Sequence, residues 1–258
     1  MPEGDTVYRT AVNLHAALAG GELLRCDIRV PAFATVDLTG DVVESVVSRG
    51  KHLLIRVGGH SIHSHLKMEG SWHLYRHSTK WRRPEWQARA ILTTVDWVAV
   101  GFQLGTLDVV ARDDEASVVG YLGPDLLGLD WNADEALLRL TADSARAVGL
   151  ALLDQRVMAG LGNVYRNELC FLRGLLPTRP IGQIEDPAKL VALAHRLIDA
   201  NKDRVDRTTT GSLRGETDWV YRREAKPCLR CGTRIEHGML GETALQLRDT
   251  FWCPSCQS

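Results

Sequence analysis

Four of the six cysteines fall in the last 31 residues as two C-x2-C pairs, Cys228/Cys231 and Cys253/Cys256. Each pair puts two thiolates on one tight turn, and two such turns complete a tetrahedron around one structural Zn2+. Cys26 and Cys170 stand among apolar neighbours and read as small core residues. At the other end, Met1-Pro2-Glu3-Gly4 precedes a helical pattern. With Met1 removed, Pro2 becomes an N-terminal secondary amine, a nucleophile towards a sugar aldehyde carbon, and its iminium adduct is an electron sink. The positive end of a following helix favours the free amine and the Glu3 carboxylate, which is then an acid/base partner within reach.

Three further segments carry chemistry-bearing types. Arg49-Gly50-Lys51-His52 is a turn that presents Lys51 at a strand edge. In the run from Leu153 to Tyr165, a helix leads into Gly160-Leu161-Gly162-Asn163, where a new helix starts. The glycines permit close backbone approach, and Asn163 either caps the second helix or offers its amide to a phosphate at the free N–H groups there. Arg248 lies just ahead of the second cysteine pair, on the hairpin of the zinc module, where a guanidinium suits bidentate phosphate contact.

The elements that must position these residues are legible in the periodicity. Val7, Ala11, Leu14 and Leu18 recur at helical spacing, with Asp5 as N-cap and Gly20-Gly21 as the stop. From Leu24 the period becomes two, and strand-like runs follow at 42–47, 52–57, 61–66, 72–76, 89–100 and 106–111. Residues 1–118 therefore read as one helix plus a sandwich or barrel. A polar, Gly/Pro-punctuated linker covers 112–131, helical spacing dominates near 133–140, 144–158, 164–173 and 187–201, and 221–258 hold the cysteines. The expected domains are thus 1–118, 131–220 and 221–258.

With 31 Lys/Arg, 32 Asp/Glu and 45% hydrophobic residues in 258, the composition is globular and excludes a disordered or low-complexity chain. The first 20 residues hold no signal peptide and no run approaches bilayer length, so a cytoplasmic protein is expected. Charge is uneven: residues 49–90 carry nine Lys/Arg against two Glu, with Trp72, Trp81 and Trp86 interleaved. A basic, aromatic stripe on a sheet suggests phosphate-backbone contact; a solvated surface loop is the alternative for 76–89.

Taken jointly and in order, MPEG, RGKHLL, HLKMEG, LGPDLL, LLDQRVMAGLGNVYRNELCF and CLRC…RDTFWCPSCQ resemble the formamidopyrimidine-DNA glycosylase/endonuclease VIII family over essentially the whole chain. The resemblance implies an α+β multidomain fold: an N-terminal helix with a β-sandwich, a helix-two-turn-helix domain and a C-terminal zinc finger. It implies a bifunctional DNA repair glycosylase and abasic-site lyase that flips a damaged base from the duplex and nicks the strand by β,δ-elimination. Damaged DNA would be the partner of a monomer with no nucleotide cofactor and no membrane attachment, and the protein would associate with a bacterial nucleoid through that DNA.

By the same resemblance Pro2 matches the Schiff-base nucleophile and Glu3 the proton donor. Lys51 matches the lysine of phosphate binding and β-elimination. Asn163 matches the asparagine holding a phosphate by the lesion, and Arg248 the finger arginine that assists δ-elimination. Met68, flanked by Lys67 and Glu69, is the candidate to fill the hole left by the flipped base, with a core methionine as the alternative. The MPEGD start, and an Ala99–Leu104 run without the Arg-Phe pair usual in purine-specific members, point to the endonuclease VIII branch and oxidised pyrimidines. An oxidised-purine enzyme and a non-catalytic damage-sensing scaffold are the alternatives. The chain departs from the family at Thr6, where a further Glu is common and where Asp5 is the adjacent carboxylate. It also departs at Tyr221-Arg222-Arg223, where Tyr-Gly-Arg is usual, and in a finger lengthened near His237–Gly241.

Overall fold

The computed structural model describes residues 2–258, which form two compact units divided between Tyr121 and Leu122. Met1, whose removal the amine chemistry requires, lies outside the described residues. In the first unit, α1 (Gly4–Leu18) buries Val7, Ala11, Leu14 and Leu18, the stripe expected from the spacing. The helix starts earlier than expected. Glu3, not Asp5, is the N-cap, and the Asp5 carboxylate turns onto the N–H of Thr6 at 2.7 Å.

Eight strands follow: β1 (Arg25–Ile28), β2 (Val43–Arg49), β3 (His52–Val57), β4 (His60–His65), β5 (Ser71–Tyr75), β6 (Ala88–Thr93), β7 (Val98–Phe102) and β8 (Thr106–Ala111). They make two four-stranded antiparallel sheets, ordered β1-β6-β7-β5 and β2-β3-β4-β8. The run 89–100 is two strands rather than one. A turn at 94–97 folds it into a hairpin, closed by the Thr94 N–H on the Trp97 carbonyl at 2.9 Å. Leu53, Ile55 and Ile62 of one sheet meet Ala90, Leu92 and Ala99 of the other, with α1, in one core. Each fully buried Leu or Ile there contributes about 1.5–3 kcal/mol.

Alternation sends the partners of those residues to the outer face of the β2-β3-β4-β8 sheet. His52 and Arg56 of β3, Ser61, His63 and His65 of β4, and Asp108 of β8 stand there. The segment leaving β8 through α2 (Ala116–Val119) satisfies that face. Glu115 accepts both Arg56 Nε and Nη2 at 2.8 Å and the Ser61 hydroxyl, and Tyr121 meets His52.

The second unit contains α3 (Ala133–Thr141), α4 (Val148–Ala151), α5 (Asn163–Arg173), α6 (Pro187–Asp199) and the hairpin of β9 (Glu236–Leu240) and β10 (Arg248–Trp252). Asn132 and Asp186 cap α3 and α6 by accepting the N–H of Glu135 and Lys189. The expected helix 144–158 is only the short α4. Beyond it the Gln155 amide holds a turn: Nε2 donates to the Leu153 and Leu161 carbonyls at 2.8 and 2.9 Å, and Oε1 accepts the Gly160 N–H. Gly160 sits at φ 116°, a conformation closed to a side chain. Among the described residues no helix is long and apolar enough to cross a membrane.

Helix α5 is the axis of this unit, buried from Asn163 to Phe171. Its apolar face enters the helical core with Leu169 and Cys170, while Phe171 enters the finger core with Val220, Ile235 and Phe251. Its polar residues are equally buried. Glu168 accepts the backbone N–H groups of Trp219, Val220 and Tyr221 at 2.7–2.9 Å, and the Thr209 hydroxyl. Removing this acceptor strands four donors. Glu168→Ala is expected to destabilise the second unit by about 3 kcal/mol, the upper end of the cost of leaving a buried donor without its acceptor. The check is urea unfolding followed by fluorescence of Trp219, which packs on Phe171 at 5.4 Å between ring centres. An unchanged midpoint would show that the clasp is not needed.

Candidate active site

The residues singled out from the sequence fall into both units. In the first, Pro2 is half-buried and immediately precedes α1, and the Glu3 side chain is wholly buried at the N-cap. The helix dipole there favours an anion and disfavours a cation, which suits a carboxylate next to a neutral amine. Lys51 lies in the turn between β2 and β3, with Gly50 at φ 56° making the tight bend. His52 pairs with His65 across the sheet, so the Lys51 turn and the Lys67-Met68 turn leave the same end of it. Lys67 adopts φ 53°, rare for a residue with a side chain, and its N–H is held by His65 Nδ1 at 2.9 Å. Met68 is 60% exposed at the tip, which excludes the reading of it as a core methionine.

The basic stripe is not uniform. Arg56 is committed to Glu115, and Arg83 to the Glu69 carbonyl and the Gln103 amide. Arg76 lies over the Trp97 ring at 3.9 Å, and Trp81 packs into a small core with Tyr75 and Phe102. Trp86 is left exposed. Thr6 occupies the first turn of α1 with its N–H on Asp5, so the nearest carboxylate to that position is itself tied down.

Sequence reasoning misses a chain of side chains adjoining Lys51. Tyr121 Oη lies 2.9 Å from His52 Nε2, His52 Nδ1 lies 2.7 Å from His63 Nε2, and His63 Nδ1 lies 3.0 Å from Asp108 Oδ2. The His65 ring stands edge-on to His52 at 5.0 Å. Burial pushes His52 down to about 3 and His65 down to about 4, helped by the nearby Lys51 and Lys67 ammonium groups and by the other histidines. The signal that points to the cluster is the period-two placement of His63 and His65 opposite His52.

In the second unit Asn163 is the first residue of α5 rather than its cap, a place taken by Gly162. Its Nδ2 donates to the Asp249 carbonyl on β10 at 2.9 Å. Arg166 Nη2 donates to the same carbonyl at 2.7 Å and to Asn163 Oδ1, and Asn167 Oδ1 accepts the Phe251 N–H at 2.7 Å. Asn163 is thereby tied to the residue next to Arg248, which opens β10 and stands exposed. The hairpin is anchored by Arg146, which pairs with Asp154 at 2.9 Å and with Glu242 near the tip. Cys228, Cys231, Cys253 and Cys256 bring their sulfurs within 4.8 Å of one another, and none is in a disulfide. The hydroxyl and N–H of Thr233 lower Cys231 to about 6. Four convergent thiols of this kind fit a tetrahedral metal ion.

Residues 1–105 match the formamidopyrimidine-DNA glycosylase N-terminal domain, and residues 122–212 match the H2TH domain of the same glycosylase. A Streptomyces coelicolor protein named probable endonuclease 8 2 is 52% identical over all of this chain and 94% of its own length. The chain belongs to the formamidopyrimidine-DNA glycosylase/endonuclease VIII family. A Mycolicibacterium smegmatis family member named DNA-(apurinic or apyrimidinic site) lyase Nei2 is also 52% identical, over all of this chain and 99% of its own. The fold of the family is seen in MutM complexed with DNA containing carbocyclic 8-oxo-G and in Lactococcus lactis Fpg complexed with abasic-site DNA. Both align at TM-score 0.82 and 22% identity over the full length of both chains.

The histidines give the first unit a pH dependence. Their folded values lie below the unfolded value near 6.5, so their contribution is complete above pH 6.5 and is lost as pH falls towards 4. In that window each costs up to about 1.4 kcal/mol per pH unit. The urea midpoint is expected to fall between pH 7.5 and 5.0, and to fall less in His65→Gln. Equal falls in both proteins would remove His65 from the account.

Proposed function

We propose that this chain is a DNA glycosylase and abasic-site lyase acting on oxidised pyrimidines in DNA, with Pro2 as its nucleophile. The observation that carries the reading is a proline at position 2 set directly ahead of α1, with the next side chain a buried carboxylate at the helix cap. The full-length likeness to a protein named as an abasic-site lyase supports it. The Pro2 nitrogen attacks C1′ of the damaged nucleotide and gives up its own proton as the base leaves with its bonding electrons and is protonated; the C1′–O4′ bond then breaks, O4′ takes a proton from Glu3, and a ring-opened iminium ion remains. Loss of a C2′ proton then expels the 3′ phosphate by β-elimination, and δ-elimination releases the 5′ phosphate.

In this reading Lys51 holds phosphate and assists β-elimination, and Arg248 grips the flanking phosphates and assists δ-elimination. Asn163 holds a phosphate by the lesion, within the network that ties it to Asp249. Lys67 contacts the backbone, and the exposed Met68 enters the space vacated by the flipped base. Oxidised pyrimidines are favoured because the β7–β8 turn carries Gln103 and no Arg-Phe pair, and because several relatives are named endonuclease 8. The four cysteines would hold one Zn2+, which cross-links the finger and leaves Arg248 on a fixed hairpin. The protein would work as a cytoplasmic monomer on damaged DNA. Residues 1–118, 131–220 and 221–258 would divide the work between chemistry, duplex grip and finger.

Sodium borohydride with abasic-site DNA is expected to trap a covalent adduct on the protein lacking Met1. Pro2→Ala, which leaves only a primary amine at that position, should cut trapping and nicking by at least about tenfold while DNA affinity stays within about threefold. Nicking at the wild-type rate by that variant would overturn the mechanism. Absence of an adduct from wild type lacking Met1 would favour the non-catalytic alternative. Metal analysis should find one zinc per chain, and its removal should weaken DNA binding while the sandwich stays folded. Fully active metal-free protein would remove zinc from the account.

A further inference from the structure

The hydrogen bonds adjoining Lys51 have a direction that follows from their last member. A carboxylate can only accept, so His63 Nδ1 carries a proton and donates it to Asp108. In an uncharged His63 the other nitrogen is then an acceptor. It takes the proton of His52 Nδ1, which leaves His52 Nε2 as an acceptor for the Tyr121 hydroxyl. Every contact is satisfied with both rings neutral. A proton added to His63 Nε2 would reverse the two contacts beyond it: His63 would donate to His52, and His52 would donate to the tyrosine oxygen. The chain therefore has two states, one neutral and pointing inward to Asp108, the other cationic and pointing outward to Tyr121.

The surroundings keep a charge off the His52 ring. His52 is faced by Tyr121, by His63 and His65 of β4, and by the Lys51 and Lys67 ammonium groups. A cation on its ring would meet two charges of its own sign. His65 is held neutral independently, because its Nδ1 must keep a lone pair for the Lys67 N–H. The result is two lysine-bearing turns at one end of the sheet, each flanked by an imidazole fixed in orientation and without charge.

We propose that His52 and His63, held between Tyr121 and Asp108, are positioning residues for Lys51, keeping its turn in one orientation and its surroundings free of a competing cation. This rests on the reading of the chain as an abasic-site lyase that uses Lys51. His52 and His63 reach no reacting atom; they act through Lys51. Tyr121→Phe removes the hydrogen-bond partner of His52 Nε2 in both states, so the His52 ring loses its outer anchor and that nitrogen is left open to a proton, which places a charge on His52 itself at higher pH.

The test is single-turnover nicking of abasic-site duplex DNA between pH 4.5 and 8.5, with borohydride trapping alongside. It compares wild type, Tyr121→Phe, Lys51→Ala and the double variant. Tyr121→Phe should keep DNA affinity and adduct formation but lose roughly three- to tenfold in rate at pH 6, with the acid limb of its profile moved up by about half to one pH unit. In the Lys51→Ala background the same change should have no further effect, because the group it positions is gone. His63→Leu should reproduce the loss. His63→Gln should recover most of the rate, since its amide can donate to Asp108 and accept from His52.

A Tyr121→Phe profile superimposable on wild type would overturn the proposal. So would an equal loss with and without Lys51, which is the mark of a general structural defect. Wild type that neither nicks nor forms an adduct would instead sink the lyase reading, and the positioning role with it.

Discussion

The second unit depends on a helix whose polar side chains are buried rather than exposed. Burying a carboxylate without partners is prohibitive, so Glu168 specifies its surroundings: three consecutive backbone N–H groups and one hydroxyl converge on it. Three residues can offer their N–H groups to one carboxylate only if the chain at 219–221 curls around it. The clasp therefore fixes the path of the backbone into the first cysteine pair. Towards the start of the same helix, Asn163, Arg166 and Asn167 fix β10, on the other side of the finger. The backbone thus approaches each cysteine pair from a segment tied to α5.

The first unit meets the same difficulty with a different solution. Alternation in β3, β4 and β8 leaves a polar outer face, and 112–121 covers it. At one end of that face the answer is ionic, Arg56 with Glu115 in a two-bond fork. At the other end, where Lys51 and Lys67 already supply positive charge, it is a chain of imidazoles closed by a carboxylate and a phenol.

What the sequence makes legible follows the range of the interactions involved. The stripe of α1, the alternation of most strands and the pairing of the cysteines are set by neighbours within a few positions, and all three are found in the structure. The start of α1 escapes local reading because Asp5 has the composition of a cap but spends its carboxylate on Thr6. The helix expected at 144–158 gives way to a turn because Gln155 reaches Leu161, a contact invisible to periodicity. Asn163 has the type and place of a cap, yet its amide answers to Asp249, 86 positions away in the chain. The histidine chain is hidden for the same reason: Tyr121 and His52 are 69 residues apart. Among the candidate residues, the cysteine cluster is the one set whose geometry can be anticipated whole, because four thiols able to share one metal ion must converge on a tetrahedron.

The anchoring of the finger hairpin by Arg146 has a consequence for its length. The strand pairing of β9 with β10 is held at its inner end by α5 and near its tip by a guanidinium shared between Asp154 and Glu242. Residues 243–247 between those two holds are exposed, and Leu245 stands almost wholly in solvent. The tip is thus a closed loop whose ends are pinned independently of its contents, and extra length there adds only slowly to the entropy of closure. It is a natural graft point: a peptide tag or spectroscopic label spliced between Glu242 and Leu247 would ride outside the fold and leave the register at Arg248 untouched.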